Sequence, residues 1–126
     1  MPNIDIQATP RTPKMSFDAE QGLFFLEGES YPEDTKKFYD EPLSHVYSFL
    51  QEKHAHPCKF VFQLKYFNSS SAKVLMDLFM AIEEAAQAGN DMSVEWHYAE
   101  DDDNMQELGE EFSEELNEAK FALITF

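Results

Sequence analysis

The stretch from 58 to 89 constrains this chain more than any other. Cys58–Phe67 is dense in aromatic and β-branched residues, with Phe60, Phe62, Leu64 and Tyr66 on one face and Val61 and Phe67 apolar on the other. That pattern predicts a central strand. Asn68-Ser69-Ser70-Ser71 follows as a cluster of cap formers, and a helix over 70–88 carries Leu75, Leu78, Phe79, Ile82 and Ala86 in one stripe that ends at Gly89. A buried strand feeding an amphipathic helix demands a sheet with helices layered on it.

The flanking segments extend that unit. Residues 1–13 hold Pro2, Pro10 and Pro13 and read as a loose arm with a short edge strand at Ile4–Gln7. Lys14–Asp18 and Leu23–Glu27 flank a four-residue turn ending in Gly22, which predicts a hairpin with Met15 and Phe17 on one face. Ser30, Pro32 and Glu33 read as a helix entry, with Ser30 as N-cap and Glu33 completing a capping box. The helix that follows carries Phe38, Leu43, Val46, Tyr47, Phe49 and Leu50, and Pro42 predicts a kink or a restart capped by Asp40. Met92–Tyr98 is another strand, Ala99–Asn104 an acidic loop, Met105–Glu118 a third helix and Phe121–Phe126 a last strand. The order β-β-α-β-α-β-α-β predicts an α/β fold, a mixed sheet with an N-terminal hairpin and parallel crossovers, as a single domain over 1–126.

Charge excludes whole classes of partner. Nine Lys and Arg against twenty-five Asp and Glu give a net charge of −16, which repels nucleic-acid phosphates and anionic lipid headgroups. Twelve Phe, five Tyr and one Trp still supply a core, so the chain is not an acidic disordered segment. The single Cys58 forms no internal disulfide and fits a reducing, cytoplasmic setting. The N-terminus lacks the pattern of a signal peptide, and no apolar run approaches the ~18–20 residues of a membrane span, so a soluble protein is expected.

The chemistry-bearing residues thin out in the same way. Four glycines, none paired closely, make neither a P-loop nor a dinucleotide fingerprint, and no cofactor is expected. His54, His56 and Cys58 alternate around Pro57 but have no second ligand cluster, so no metal site is expected. Asp101–Asp103 begin like a calcium loop, yet Gln106 stands where the glycine belongs and Phe112 where the bidentate glutamate belongs. His97, between Trp96 and Tyr98, is the one candidate acid or base. The hydroxyl run Asn68–Ser71 is more informative. One serine serves as the helix cap, and three hydroxyls at a helix N-terminus, where N–H groups are free and the dipole is positive, suit a phosphate.

Taken in order, Gly28-Glu29-Ser30-Tyr31-Pro32-Glu33, Tyr66-Phe67-Asn68-Ser69-Ser70-Ser71, Met76-Asp77, Val94-Glu95-Trp96-His97-Tyr98 and Glu107-Leu108-Gly109-Glu110-Glu111-Phe112 resemble the SiaC-type regulatory phosphoproteins, small bacterial proteins with a STAS-like fold. The resemblance covers most of the chain and implies a single STAS-like domain. It implies that Ser69, where the family carries threonine, is phosphorylated by a partner kinase and reset by a PP2C-like phosphatase, with Ser70 as the alternative position. It further implies that the unmodified protein is not an enzyme and that it binds and activates a diguanylate cyclase, raising cyclic di-GMP and promoting biofilm.

A physical mechanism accompanies that implication. A phosphate brings about −1.5 to −2 charges into an interface where only Lys65 and Lys73 are near in sequence, so the modified form sheds its partner. The expected contact face comprises Ser30, Tyr31, Asn68, Ser69, Ser70, Ser71, Lys73, Met76, Asp77 and Met80. Two readings compete with it: the same switch wired to an anti-sigma factor, and a small enzyme using His97.

Overall fold

The computed structural model describes residues 3–126; Met1 and Pro2, the start of the expected arm, lie outside the described residues. The chain runs β1 (Ile4–Ile6), β2 (Lys14–Asp18), β3 (Leu23–Ser30), α1 (Thr35–Leu50), β4 (Cys58–Phe67), α2 (Ser69–Gln87), β5 (Met92–Tyr98), α3 (Asp103–Ser113) and β6 (Lys120–Thr125). All strands join one sheet in the spatial order β1-β2-β3-β4-β5-β6. The first three pair antiparallel; β3 to β6 are parallel, each crossover carrying a helix. This is the mixed sheet that the alternation of elements predicts.

Three crossovers that step in one direction stack their helices on one face of the sheet. Burial records the result. Met15, Phe17, Phe24, Leu26, Phe60, Phe62, Val94 and Trp96 are buried beneath the helices, while alternate residues such as Ser16, Phe25, Gln63 and His97 remain partly open. Trp96 anchors the core, with Phe112 at 5.4 Å and its indole N–H donated to the Met105 carbonyl at 3.0 Å. Among the described residues no helix is long and apolar enough to cross a membrane.

Several boundaries differ from expectation, each for a local reason. The edge strand expected at Ile4–Gln7 is shorter, Ile4–Ile6, with Ile4 paired to Phe17, and farther along the expected arm the Arg11 carbonyl accepts the Tyr31 N–H at 2.8 Å. Ser30 does not cap α1. Glu29 and Ser30 continue the parallel ladder against Tyr66 and Phe67, so the cap falls to Asp34, whose side chain accepts from the Lys37 N–H. Pro42 neither ends α1 nor forces a restart at Asp40, because the helix is held by Tyr39, Leu43 and Val46, buried on either side of the buried proline. No serine caps α2; Asn68 does, and the three serines form the first turn. α3 stops at Ser113 rather than Glu118, since the N–H groups of Asn117, Glu118 and Ala119 turn away to bind the Glu83 carboxylate.

Candidate functional site

The C-terminal ends of β3 and β4 deliver Ser30 and Asn68 side by side, with the Asn68 N–H donating to the Ser30 carbonyl at 3.0 Å. The Asn68 side-chain oxygen accepts the Ser71 N–H at 2.9 Å and the Ser70 hydroxyl at 3.1 Å. With that one side chain as cap, the three serines fall into three different environments.

Ser71 is buried, its hydroxyl 2.7 Å from that of Ser30 and donating to the Ser30 carbonyl at 3.0 Å. The Ser30 hydroxyl also meets the Tyr39 phenol at 2.5 Å. One assignment satisfies all three groups: Tyr39 donates to Ser30, Ser30 to Ser71, and Ser71 to the carbonyl. Burial pushes the Tyr39 pKa up to about 12, against the smaller opposing pull of its two serine partners, so the phenol stays a neutral donor. Ser70 is exposed but engaged, 2.7 Å from the Thr35 hydroxyl while donating to Asn68. Ser69 is exposed, and its hydroxyl makes no hydrogen bond to any described residue.

The α2 face leading away from Ser69 presents Lys73, Asp77 and Met80 to solvent at helical spacing, with Lys73 and Asp77 joined at 3.5 Å. Met80 is 42 % exposed, whereas Met76 is half-buried and packs against the core. The same face borders an open groove of about 590 Å³ between α1 and α2, floored by Leu50, Ala81 and Ala85. On the other side of the serine turn, half-buried Tyr31 lies edge-on to Tyr66 at 5.7 Å, with the Arg11 guanidinium 5.5 Å above its ring.

The structure therefore brings together most of the expected contact face but turns two of its members inward. Ser30 and Ser71 offer no side-chain surface; they position the turn. Sequence reasoning missed Arg11, Thr35, Tyr39 and Tyr66. Only Tyr66 carried a signal, as an aromatic at the end of a strand beside the serine run.

The remaining candidates serve elsewhere. The His54 ring stacks on Phe49 at 3.8 Å and its Nε2 lies 2.7 Å from the Phe49 carbonyl. Cys58 is buried, and desolvation, aided by Asp91, pushes its thiol up to about 11. Asp102 caps α3 by accepting the Met105 N–H at 3.0 Å. His97 lies 2.9 Å from Glu95, which also meets Lys59 at 3.1 Å; the His97 contact first and Lys59 second hold the Glu95 carboxyl below its ordinary range. This triad lies on the sheet face away from the helices.

Against known proteins, the model of the SiaC family regulatory phosphoprotein matches residues 6–126. The chain is 34 % identical over 117 residues to an uncharacterised protein of Pseudomonas aeruginosa strain UCBPP-PA14, covering 93 % of this chain and 92 % of that one. It superposes on apo-SiaC from Pseudomonas aeruginosa with a TM-score of 0.88 at 35 % identity, covering 98 % of this chain and 99 % of the other. SiaC in the crystal structure of the diguanylate cyclase SiaD with its activator SiaC, from the same organism, gives 0.91 at 32 % identity, with coverage of 98 % and 99 %.

Proposed function

The chain belongs to the SiaC family of regulatory phosphoproteins, and from that premise we propose that it is a phospho-switched adaptor whose unmodified form binds and activates a diguanylate cyclase. A partner kinase transfers the γ-phosphoryl group of ATP to Ser69, and a PP2C-like phosphatase removes it. The adaptor has no catalysis of its own and works in the cytoplasm, a setting that its single buried thiol suits.

One observation carries the choice of residue. Ser71 is buried and Ser70 is held by Thr35 and Asn68, leaving the Ser69 hydroxyl open to a kinase. The same geometry supplies the switch. A phosphate on the first residue of α2 sits at the positive end of the helix and is stable in water. It adds about −1.5 to −2 charges to a chain already at −16. Lys73, the cation one turn along, is already paired with Asp77. A partner closing over Ser69, Lys73, Asp77 and Met80 must desolvate that phosphate, which costs more than the contact returns.

The test is a titration of the cognate cyclase with the unmodified chain, the kinase-treated chain and Ser69→Ala, read as binding and as cyclic di-GMP synthesis. The unmodified and Ser69→Ala chains are expected to activate, and the phosphorylated chain to bind at least about tenfold more weakly, a difference of about 1.4 kcal/mol. Equal activation by the phosphorylated chain, or a phosphate found on another residue, overturns the reading.

A further inference from the structure

Ser69, Lys73 and Asp77 follow one another at intervals of four residues on α2, so their side chains lie along one strip of the helix, each a turn from the next. In the unmodified chain the Lys73 ammonium is 3.5 Å from the Asp77 carboxylate. Both side chains are exposed, and a pair of this kind is held weakly enough to be exchanged. The strip therefore carries one cation between two positions where an anion can stand.

The pairing that exists is the poorer of the two. An anion one turn N-terminal to a lysine pairs better than one a turn C-terminal to it, because the first arrangement complements the helix dipole and the second opposes it. Asp77 is on the unfavourable side of Lys73. A phosphate on Ser69 stands on the favourable side and brings about −1.5 to −2 charges against the single charge of a carboxylate. Direction and charge both favour the phosphate. The lysines on the neighbouring turn of α1, Lys36 and Lys37, belong to another helix across the Thr35–Ser70 contact, and Lys36 is already 3.4 Å from Asp40.

What Lys73 leaves behind matters to a partner. Asp77 lines the groove between α1 and α2 together with Tyr47 and Met80. Its charge reaches into that groove: burial first and Asp77 second hold the Tyr47 phenol above its ordinary range.

Resting on the Ser69 switch set out above, we propose that Lys73 is its moving part: phosphate on Ser69 draws Lys73 off Asp77 and leaves a bare carboxylate at the groove. Eight helical residues place that carboxylate about 12 Å along α2 from the modified serine. The modification thus acts at two points of the contact face, and whichever anion holds Lys73, the other meets the partner unpaired.

Binding of the cognate cyclase to the full chain and to its Lys73 and Asp77 variants, with and without kinase treatment, tests this. Unmodified Lys73→Gln leaves Asp77 bare with no phosphate present and is expected to bind at least about threefold more weakly than the parent. Adding Asp77→Asn to Lys73→Gln is expected to restore parent binding. On phosphorylation, Asp77→Asn should lose at least about threefold less affinity than the parent loses, and a crystal structure of the phosphorylated chain should show Lys73 on the phosphate. Lys73→Gln that binds like the parent, a double variant that stays weak, or a phosphate paired with Lys37 or Lys65 while Lys73 remains on Asp77 overturns the proposal. Equal loss in the parent and in Asp77→Asn overturns it as well and leaves the Ser69 switch standing. If the unmodified parent does not bind, or phosphorylation weakens neither chain, both fall.

Discussion

The Thr35 hydroxyl lies 2.7 Å from that of Ser70, binding the first turn of α1 to the first turn of α2. Because Ser70 donates its proton to Asn68, it receives the Thr35 proton on a lone pair, and both faces of the nucleophile are engaged. Thr35→Val is expected to free that lone pair at a cost below about 1 kcal/mol, the worth of one exposed hydrogen bond. Mass spectrometry of the kinase-treated chain should then show phosphate on Ser70 as well as Ser69, where the parent chain carries it on Ser69.

Tyr39→Phe removes the outermost donor of the buried chain Tyr39–Ser30–Ser71 and leaves the Ser30 oxygen short of a proton. The expected loss is about 1–2 kcal/mol in urea denaturation. The raised pKa adds a signature at high pH. Since the folded value is about 12 against an ordinary 10.0, the neutral phenol stabilises the fold fully below pH 10.0 and that contribution disappears as pH rises toward 12. Two units correspond to about 2–3 kcal/mol, and Tyr39→Phe should lose this part of the alkaline dependence.

Glu83 is a buried carboxylate that gathers the N–H groups of Asn117, Glu118 and Ala119 at 3.0–3.1 Å, with Gln87 as a further donor at 3.1 Å. Burial alone would raise its pKa; these donors outweigh burial and hold it below the ordinary glutamate value. Its contribution is therefore complete above the unfolded glutamate pKa and fades as pH falls through the lower folded one. Glu83→Gln replaces an acceptor with an amide N–H aimed at donors and should cost about 2–3 kcal/mol at neutral pH, with less to lose on acidification.

Gly109 faces Trp96 so closely that an added Cβ would lie 2.5 Å from the indole Cδ1 and 2.6 Å from Leu123 Cδ2. Gly109→Ala is expected to destabilise by about 1–3 kcal/mol, in spite of alanine's better helix propensity. A red shift in Trp96 fluorescence would report the displaced ring.

The two methionines of α2 separate binding from folding. Met80→Glu places a carboxylate on an exposed position beside the groove and should weaken cyclase binding with little change in melting temperature. Met76→Glu forces a charge against the core and should lower stability by about 2 kcal/mol or more. A binding loss confined to Met76→Glu would move the contact off the α2 face.

What the sequence discloses and conceals here follows from the range of the interactions. The unit β4–α2 was legible because its signals are local: the apolar run of Cys58–Phe67, the cluster of cap formers Asn68–Ser71 and the stripe ending at Gly89. The serine run was legible for the same reason. Which serine is free was not, because that depends on Thr35 and Tyr39, thirty or more residues earlier, and on a ladder that carries Ser30 inward. The length of α3 was misread for a related reason: the Glu83 carboxylate that ends it is supplied by another helix, and no local propensity marks it.

The sheet is laid down in the order in which the chain is written, each strand beside the one before it. During synthesis, a strand leaving the ribosome finds its docking edge already built, and no earlier strand must wait for a distant partner to arrive. Lys120–Thr125 in turn pairs along the edge already formed by β5. Assembly by accretion keeps the interior edges short-lived, and among the described residues the finished sheet leaves only its two outer strands, Ile4–Ile6 and Lys120–Thr125, with an unpaired edge.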